Sequence, residues 1–426
     1  MSIDDWLRLL SFWTKQATEA AKQHEGQDLC KCVPRHAFVQ SQLLRPKRLF
    51  VFNSLSEKII MKTVSKLQIL ATLCAAIGST QVEAQIANNV TISGVVDAYL
   101  GTRQLAGGIS QTKVDSSGLT TSQVNIMGTE DLGDGNRAEF ALGMFFRPDD
   151  GGQGRFSGDV QFGRASYVGL GGQLGTIRVG RQATGTFLNF IRTNSFGDST
   201  VFSPAFIQTW ISAVAQGSQF LSGGAPATNR TLTNPLGTSD TTWDNVVAYI
   251  SPSIAGATFQ AQWAPGETAG VGSRFGASTF YTNGPLALGL STEQIGANGV
   301  PASGPAAAVI SKQTNWQLSG AYAFGFGRVS AGLLTTQRDF ALISDDRIRT
   351  VHLGVSIPVG MGTVMAQVAN SSEKPDVGTE MIRTTTSVGY SYAFSKRTDA
   401  YVVLMNDRFT GQSSGNSFGV GVRQRF

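Results

Sequence analysis

The chain has 426 residues, of which 50 are glycine, whereas only 15% are charged and the mean hydropathy is −0.03. This length would allow two or three soluble domains, but the glycine content and the single, alternating apolar positions argue against ordinary globular domains. The formal net charge of +5 at pH 7 would suit a nucleic-acid partner only if the basic residues belonged to the folded part of the chain.

The first predicted element is a secretory signal at residues 61–84, MKTVSKLQILATLCAAIGSTQVEA. Lys62 and Lys66 form its basic start, an apolar stretch follows, and cleavage is predicted after Ala84. The apolar stretch is too short to span a bilayer as a helix. Because a secretory signal must be N-terminal to work, residues 1–60 are predicted to be an over-extended start that is no part of the mature protein. The alternative is a genuine amphipathic helix near the start of the chain.

Removal of residues 1–84 changes the charge balance. This segment holds 11 Lys and Arg and 7 Asp and Glu, so 23 basic and 22 acidic residues remain. Nucleic-acid binding thereby loses its only support. All three cysteines also lie in the removed segment, so the mature chain is predicted to have no disulfide and to be stabilised by backbone pairing.

Alternating segments follow throughout residues 85–426, and they show no helical periodicity. Most are about ten residues long, which is the length that crosses a hydrocarbon core when a strand is tilted. The sixteen predicted strands are 88–103, 119–130, 136–147, 160–170, 174–182, 243–252, 255–264, 272–282, 285–293, 313–324, 327–338, 347–358, 361–370, 381–394, 397–407 and 416–426.

The connections between these strands alternate between short and long. Tight turns such as DLGDGN, GGQ, TNGP and GFG take turns with longer polar loops, seven short turns against eight loops. An up-and-down barrel of the outer membrane has an even number of strands, short periplasmic turns and long external loops. The pattern therefore fits sixteen strands with none left over.

One face of the predicted strands is apolar and the other is polar. In VGYSYAF the apolar face carries Val388, Tyr390, Tyr392 and Phe394, whereas the opposite faces are rich in Ser, Thr, Gly, Gln and Arg. The polar face must line water, and a membrane barrel of this size is wide enough for an aqueous channel. We therefore predict an all-β fold, a 16-stranded antiparallel transmembrane β-barrel. A soluble sandwich with the same alternation is the alternative.

One connection, residues 183–242, is about sixty residues long. Loops of this length without structure of their own are uncommon and usually functional. Its middle, NFIRTNSFGDSTVFSPAFIQTWISAVAQ, is too apolar to extend freely into solvent. We therefore predict that this long third loop folds into the lumen and constricts it. The alternative is a surface loop that packs on neighbouring loops or subunits.

The positions of the arginines in the sequence indicate that this constriction is positively charged. Arg164 and Arg181 lie about six residues from the GGQ turn, which gives mid-membrane height at ~3.3 Å per residue and ~45° tilt. An arginine at that depth costs ~2–4 kcal/mol on the lipid side, so it should face the lumen. The alternation of side chains places Arg164 and Arg178 on the lumen face. It places Arg181 on the lipid face, so a lumen position for Arg181 requires a bulge or a shift towards the loop. The predicted pore-lining and constriction residues are Arg137, Arg164, Arg178, Arg181, Arg192 and Asp198.

Together these arginines suggest a positive potential that favours anions. The alternative for each arginine is a solvated wall residue without influence on selectivity.

Catalytic and metal chemistry have little support in the sequence. The mature chain has a single histidine, His352, and a membrane hydrolase would need it as its base, so we interpret it as a wall residue. No Cys/His cluster suggests zinc, and DLGDGN, with Asp131 and Asp134, reads as a hairpin turn rather than a calcium loop. We expect no enzyme activity, no cofactor and no metal.

The chain ends on a predicted strand, NSFGVGVRQRF, whose last residue is Phe426. This segment, together with VTISGVVDAYLG, GTEDLGDGNRAEF, FGRASYVGLGGQLGTIRVGRQ, WDNVVAYISPSIAG and SKRTDAYVVL, resembles the Gram-negative general porins of the neisserial and betaproteobacterial type. The six motifs occur in the right order and are spread over the whole chain after Ala84.

The resemblance implies a homotrimer in the lipid of the outer membrane, with a third loop in the pore and passive passage of ions and small hydrophilic solutes. It also implies that Phe426 is recognised by the machinery that assembles barrels in that membrane. The family's arginine cluster carries over to Arg164 through FGRASYVGL. It does not carry over to the second strand, where Gln123 and Met127 replace basic residues, and Glu139 adds an acid. The anion preference should therefore be modest.

Other functions stay open on the sequence alone. They are a porin specialised for one solute, a structural or adhesive barrel plugged by residues 183–242, and an outer-membrane hydrolase. Single-channel conductance separates an open channel from a plugged barrel, because a closed lumen passes no steady current.

Overall fold

The structure is a computed structural model that describes residues 89–156, 158–210, 241–267, 271–297, 310–340 and 345–426. The predicted start at 1–60 and the predicted signal at 61–84 lie outside the described residues. So do residues 211–240 of the predicted third loop.

The described residues form seventeen strand segments and two helices. The strands are β1 (Asn89–Arg103), β2 (Gln111–Ser116), β3 (Gln123–Gly133), β4 (Asn136–Phe145), β5 (Ala165–Gly172), β6 (Gly175–Ala183), β7 (Thr242–Ile250), β8 (Ala257–Ala264), β9 (Arg274–Asn283), β10 (Leu286–Gly296), β11 (Ile310–Phe324), β12 (Gly327–Phe340), β13 (Asp346–Val359), β14 (Gly362–Pro375), β15 (Met381–Ala393), β16 (Thr398–Phe409) and β17 (Gly415–Arg425). The helices are α1 (Gly185–Thr193) and α2 (Pro204–Thr209). Neither of these helices has the length and apolar character needed to cross a membrane.

The strands close into a barrel. From β3 to β17, each strand pairs antiparallel with the next one in the chain. The first strand completes the ring, because residues 95–102 of β1 lie opposite residues 425–418 of β17. Closure gives every described strand a hydrogen-bonded neighbour on each side, except β2, which pairs with β1 alone.

Two segments occupy the second strand position in the wall: β3 overlaps the predicted strand 119–130, whereas β2 lies in residues predicted as a connection. β3 pairs with the first half of β1, and β2 pairs with its second half on the same side, so the barrel has sixteen strand positions. The break at 117–122 folds inward, where the Asp97 carboxylate accepts hydrogen bonds from the N–H groups of residues 118–120 at 2.8 to 3.1 Å. These buried amides are therefore satisfied without the sheet ladder.

The apolar side chains alternate along the strands and are exposed on the outside. In β17, Phe418, Val420 and Val422 are exposed, and the glycines between them are buried. Near the short turns the exposed rings pack on one another, as Tyr322 and Phe324 do with ring centroids 4.6 Å apart. An apolar band flanked by aromatic rings is the outer surface that hydrocarbon requires.

Residues 133–136 form the predicted hairpin turn between β3 and β4. The N–H of Gly133 donates to Asp131 Oδ1 at 2.9 Å, and Asp134 and Gly135 have φ angles of 52° and 76°. Positive φ at two successive residues gives the turn a twist that matches the flanking strands. Asp131 therefore serves the backbone of a turn, as the sequence predicted.

Candidate functional site: segment 184–210 and the arginines around it

Helix α1 begins where β6 ends and lies against β9 and β10. Thr184 caps the helix, because its hydroxyl accepts a hydrogen bond from the N–H of Phe187 at 3.1 Å. The side-chain amide of Asn189 donates to the carbonyl groups of Thr279 and Leu290 at 3.1 and 3.2 Å. These hydrogen bonds attach α1 to the barrel wall.

Helix α2 lies against β14 and β15. Ser203 caps it by accepting a hydrogen bond from the N–H of Phe206 at 3.3 Å, and Pro204 occupies the first helical position. The side-chain amide of Gln208 donates to the Ala369 carbonyl at 3.1 Å and to the Thr385 hydroxyl at 2.8 Å. The second helix is thus attached to a different part of the wall.

Aromatic side chains join the two helices. The ring centroids of Phe190 and Trp210 are 4.4 Å apart, and those of Phe187 and Phe206 are 6.1 Å apart. Aromatic pairs of this geometry each contribute about 0.5–1.5 kcal/mol beyond their buried area. The helices therefore pack as one unit.

The residues between the helices reach further strands. The hydroxyls of Ser195 and Ser330, the latter on β12, are 2.7 Å apart, and Phe202 packs on Tyr99 of β1 with ring centroids 5.2 Å apart. The Ser199 hydroxyl donates to the carbonyl of Gly118 at 2.6 Å. Tyr99 and Ser330 lie on the buried face of their strands, opposite the exposed apolar side chains.

Arg164 precedes β5 and lies against the inner face of β4. A methyl group added at Gly143 would come within 3.2 Å of Arg164 Cβ and 2.9 Å of Asn125 Oδ1. The guanidinium carbon lies 5.9 Å from the centre of the Phe145 ring. No ion-pair partner lies within 4 Å of this guanidinium among the described residues.

Asp198 is the predicted acid that the structure brings into electrostatic contact with Arg164. Its backbone carbonyl accepts a hydrogen bond from the Thr121 hydroxyl at 3.4 Å. Burial raises the pKa of the Asp198 carboxyl above its ordinary value, and the positive charge of Arg164 opposes that rise. The two charges therefore influence each other without forming an ion pair.

Glu139 lies between two of the predicted arginines. Its Oε1 accepts a hydrogen bond from Arg178 Nε at 2.5 Å, and its Oε2 lies 3.6 Å from Arg137 Nε. The Arg178 guanidinium also lies over the Tyr167 ring, 4.6 Å from its centre. One negative charge is thus shared by two positive charges on this part of the inner wall.

The structure does not bring Arg181 together with these residues. A bulge is present in β7 opposite Arg181, yet the regular pairing of Ser166 with Arg181 keeps the arginine on the face that carries the exposed Val179. Its guanidinium pairs with Asp244 and donates to the Gly163 carbonyl. Arg181 therefore lies on the face that the alternation of β6 assigns to it, and not in the lumen as its mid-membrane height predicted. Asp244 on the same face supplies the opposite charge that makes this position tolerable.

Arg192 and an arginine that the sequence reasoning missed lie together at the end of α1. The Arg192 guanidinium lies over the Phe280 ring, 4.6 Å from its centre, and the Arg192 carbonyl accepts a hydrogen bond from Arg328. Arg328 has the same parity in β12 as the buried Ser330, which is the signal that could have identified it. Neither arginine has an ion-pair partner in the part of the chain that the structure describes.

The sequence analysis also did not predict the buried ion pairs on strands β12 to β17. Each acid lies within reach of its arginine only because neighbouring strands are in register, which strand alternation by itself does not reveal. These groups are Arg338 with Asp346 and Glu373 at 2.6 and 3.1 Å, Arg383 with Asp407 at 2.9 Å, and Arg423 with Asp399 at 2.9 Å.

His352 lies on the inner face of β13. It is buried, and its ring centroid is 5.8 Å from that of Phe190. Its Nδ1 atom has no hydrogen-bond partner among the described residues. Within the same described ranges, no three His, Cys, Asp or Glu side chains are grouped as metal ligands would be.

Sheet closure, an apolar outer surface and a charged inner surface together define a transmembrane β-barrel of the pore-forming class.

Comparisons with known proteins agree with this class. A family model described as Gram-negative porin matches residues 70–412. Outer membrane porin protein 32 of Delftia acidovorans is 27% identical over 351 residues, which cover 80% of this chain and 87% of that protein.

Two solved structures share the fold. The anion-selective porin from Comamonas acidovorans superposes with a TM-score of 0.63 at 24% identity, covering 80% of this chain and 100% of that chain. OmpT of Vibrio cholerae in its trimer form gives a TM-score of 0.55 at 14% identity with the same coverage. The chain belongs to the Gram-negative porin family, and it is an outer-membrane porin, a channel for diffusion. The predicted barrel and the predicted outer-membrane location are confirmed, and so is the family that the sequence motifs resemble.

Proposed function

We propose that segment 184–210 lies inside the barrel and narrows its lumen, and that the channel prefers anions modestly over cations. The main support for this proposal is that segment 184–210, which follows β6, contacts residues of β1, β10, β12 and β14. Strands that far apart around a closed barrel share a neighbour only across its interior.

The charges around the segment give the proposed selectivity its sign. Arg164, Arg192 and Arg328 are without an ion-pair partner among the described residues, whereas Arg137 and Arg178 share Glu139. Together with Asp198, these groups have a net charge of +3. A positive potential in a narrow, low-dielectric pore raises the local concentration of anions. The porin from Comamonas acidovorans is itself described as anion-selective, which supports the same sign here.

Planar-bilayer recording of the purified protein in a KCl gradient tests this proposal. We expect stepwise conductance and a reversal potential that shows chloride to be more permeant than potassium. A potassium preference would contradict the charge argument and leave the fold intact. Absence of steady current would contradict the open channel and favour the plugged barrel.

We also propose that the protein has no enzymatic activity. The buried His352 packs on the ring of Phe190, and the family is one of channels. If hydrolysis of ester substrates accompanied the purified protein and disappeared in His352→Ala, this proposal would be wrong.

We propose a homotrimer, by analogy with the trimer form of OmpT. The exposed apolar outer face offers a contact surface for neighbouring subunits. Chemical cross-linking in mild detergent should yield a trimer band, and a band no larger than a monomer would contradict the proposal.

We infer that Phe426 is recognised by the assembly machinery of the outer membrane. Its backbone exchanges hydrogen bonds with Gly94 at 3.0 and 3.1 Å, and the residue is 47% exposed on the outside. The recognition element is thus at the surface of the closing seam. Deletion of Phe426 should leave unassembled protein in the periplasm; undiminished assembly would refute the inference.

We further propose that cleavage after Ala84 leaves residues 85–426 as the mature chain. The motif at 61–84 supports this proposal. Sequencing of the purified protein's N-terminus should begin at Gln85, and any start before residue 61 would contradict the processing.

A further inference from the structure

Strands β3 to β5 form a part of the inner wall that lies away from the attachments of segment 184–210. Helix α1 packs on strands β8 to β12, and helix α2 packs on strands β13 to β15. The residues between the helices contact β1, β12 and the break at 117–122. With the segment inside the barrel, as proposed above, the inner face of β3 to β5 borders the remaining passage.

Three side chains form an apolar strip across this part of the wall. Met127 of β3 lies directly opposite Ala141 of β4, which lies directly opposite Tyr167 of β5. Directly opposed residues of antiparallel strands have Cβ atoms about 4.5–5.5 Å apart, so these three residues, which we call the apolar strip, are continuous. The next residue of β3, Gly128, lies opposite the exposed Phe140 of the outer face. Met127 therefore points inward, where the residue is 43% exposed.

An arginine lies on each side of the apolar strip. On one side, the Arg164 side chain lies against β4 at Gly143, one inward position beyond the strip. On the other side, the Arg178 guanidinium lies over the Tyr167 ring, 4.6 Å from its centre, and donates a hydrogen bond to Glu139 at 2.5 Å. The strip is thus an apolar surface between two positive groups.

The acids near the strip leave Arg164 available to a ligand. Glu139 is already engaged by Arg178 and Arg137. Asp198 interacts electrostatically with Arg164 but forms no ion pair with it among the described residues. The Arg164 guanidinium therefore keeps hydrogen-bond donors that no carboxylate of the described chain occupies.

We propose that the pore binds small aromatic carboxylates, with the ring on the apolar strip and the carboxylate at Arg164. An aromatic ring makes favourable contacts with the sulfur of Met127 and with the ring of Tyr167. A planar guanidinium donates two parallel hydrogen bonds to one carboxylate. Successive inward positions on a strand are ~6.7 Å apart, so a carboxylate attached directly to the ring stays within reach of Arg164. This inference rests on the proposed anion-preferring channel, to which it adds the chemical class of the solute.

Block of the chloride current by added organic solutes tests the proposal. Single channels are recorded in symmetric KCl at neutral pH, and sodium benzoate, sodium acetate or benzyl alcohol is added in separate arms. Acetate has the charge without the ring, and benzyl alcohol has the ring without the charge. We expect saturable block by benzoate, with a half-blocking concentration about 10-fold below that of acetate, because two ring contacts together contribute about such a factor. Benzyl alcohol should block much less than benzoate.

Met127→Ser removes the thioether from the strip. The half-blocking concentration of benzoate should rise roughly 2- to 10-fold. The block by acetate and the chloride-to-potassium permeability ratio should keep their wild-type values, because no charge changes. The matched control Met361→Ser replaces an exposed methionine at the short turn between β13 and β14 and should leave the benzoate block unchanged. Tyr167→Leu, a second variant of the strip, should weaken the benzoate block in the same direction.

Several outcomes would overturn the proposal. Equal block by benzoate and acetate would show that charge alone explains the binding, and equal block by benzyl alcohol would make the carboxylate irrelevant. An undiminished benzoate block in both strip variants, or an equal loss in the control, would remove the strip from the binding site.

Failure of this proposal can be distinguished from failure of the proposed function. A chloride preference in KCl without any selectivity for benzoate would leave the general channel intact and reject only the aromatic site. A potassium preference would contradict the proposed anion selectivity, and the benzoate arms would still decide the aromatic site. Absence of steady current in KCl alone would reject both.

Discussion

Arg164 has the strongest claim among the arginines to influence ion passage. Its guanidinium has no ion-pair partner within 4 Å among the described residues, and it interacts electrostatically with Asp198 on the proposed constriction. Arg178 has lost much of its effect to Glu139, and Arg181 lies on the outer face. Which arginine influences ion passage therefore depends on its ion-pair partners as much as on its own charge.

Arg164→Gln should lower the chloride-to-potassium permeability ratio about 2- to 5-fold. A unit charge a few ångströms from a hydrated ion changes the ion's free energy by up to ~1 kcal/mol, which corresponds to such a factor. Reversal potentials in a KCl gradient measure the ratio. Arg181→Gln is the matched control and should leave the ratio unchanged, so an equal effect of the two substitutions would contradict the assignment.

Acidification should increase the anion preference through Asp198. Because burial raises the pKa of this carboxyl, its protonation occurs at a higher pH than the 3.8 that is ordinary for aspartate. Below that pKa the negative charge is absent, whereas the arginines remain positive. Asp198→Asn should show the low-pH selectivity at every pH, and the exposed control Asp150→Asn should keep the pH dependence. A wild-type ratio that does not change as the pH is lowered from neutral to below 3.8 would contradict this role.

At the scale of elements, the interrupted second strand is the feature that shapes the interior. Segment 117–122 leaves the ladder between β2 and β3 and lies beside segment 184–210, to which it is joined by the hydrogen bond from Ser199 to Gly118. The Asp97 carboxylate organises the break and also accepts a hydrogen bond from Tyr401 at 2.5 Å. One buried carboxylate thus links β1, β16 and the inward-folded break.

Asp97→Ala should destabilise the barrel by about 3 kcal/mol. The substitution leaves three backbone N–H groups without their acceptor, and each buried unsatisfied group costs about 1–3 kcal/mol, less where water can replace the carboxylate. The temperature at which the folded band disappears in SDS measures the loss, and Asp149→Ala is the exposed control. An unchanged temperature would show that Asp97 does not hold the break.

For the whole molecule, closure depends on a seam where bulky side chains have no room. At Gly94 an added Cβ would lie 2.4 Å from Phe426 Cζ and 2.6 Å from the Gln123 carbonyl oxygen. Glycine at this position lets the terminal ring cover the first strand where it meets the last. The ends of the chain can thereby join the sheet into a cylinder.

Gly94→Val should reduce the yield of folded barrel several-fold and lower its unfolding temperature. The new side chain displaces the Phe426 ring and strains the seam, and overpacking of this kind costs about 1–3 kcal/mol. The folded fraction is measured by its faster migration in SDS without boiling. Gly325→Val is the control, because an added Cβ there meets no atom within 4 Å. Equal yields for both variants would contradict the importance of the seam.

The sequence alone determined the architecture of the barrel. Strands such as β12 and β15 were predicted to within about two residues, because alternation and turn residues are local properties of a pleated backbone. The outward positions of Phe418, Val420 and Val422 followed from the same alternation.

Which charged side chains pair with one another depends on the folded barrel. Asp97 bonds to Tyr401, 304 residues away, and accepts hydrogen bonds from the backbone of the break between β2 and β3, which the alternation did not predict. Arg181 finds Asp244 across the outer face, Arg178 finds Glu139, and Arg328 enters the group around segment 184–210. Alternation assigns each side chain to a face, but the barrel's register and the path of the long loop bring specific partners within hydrogen-bond distance.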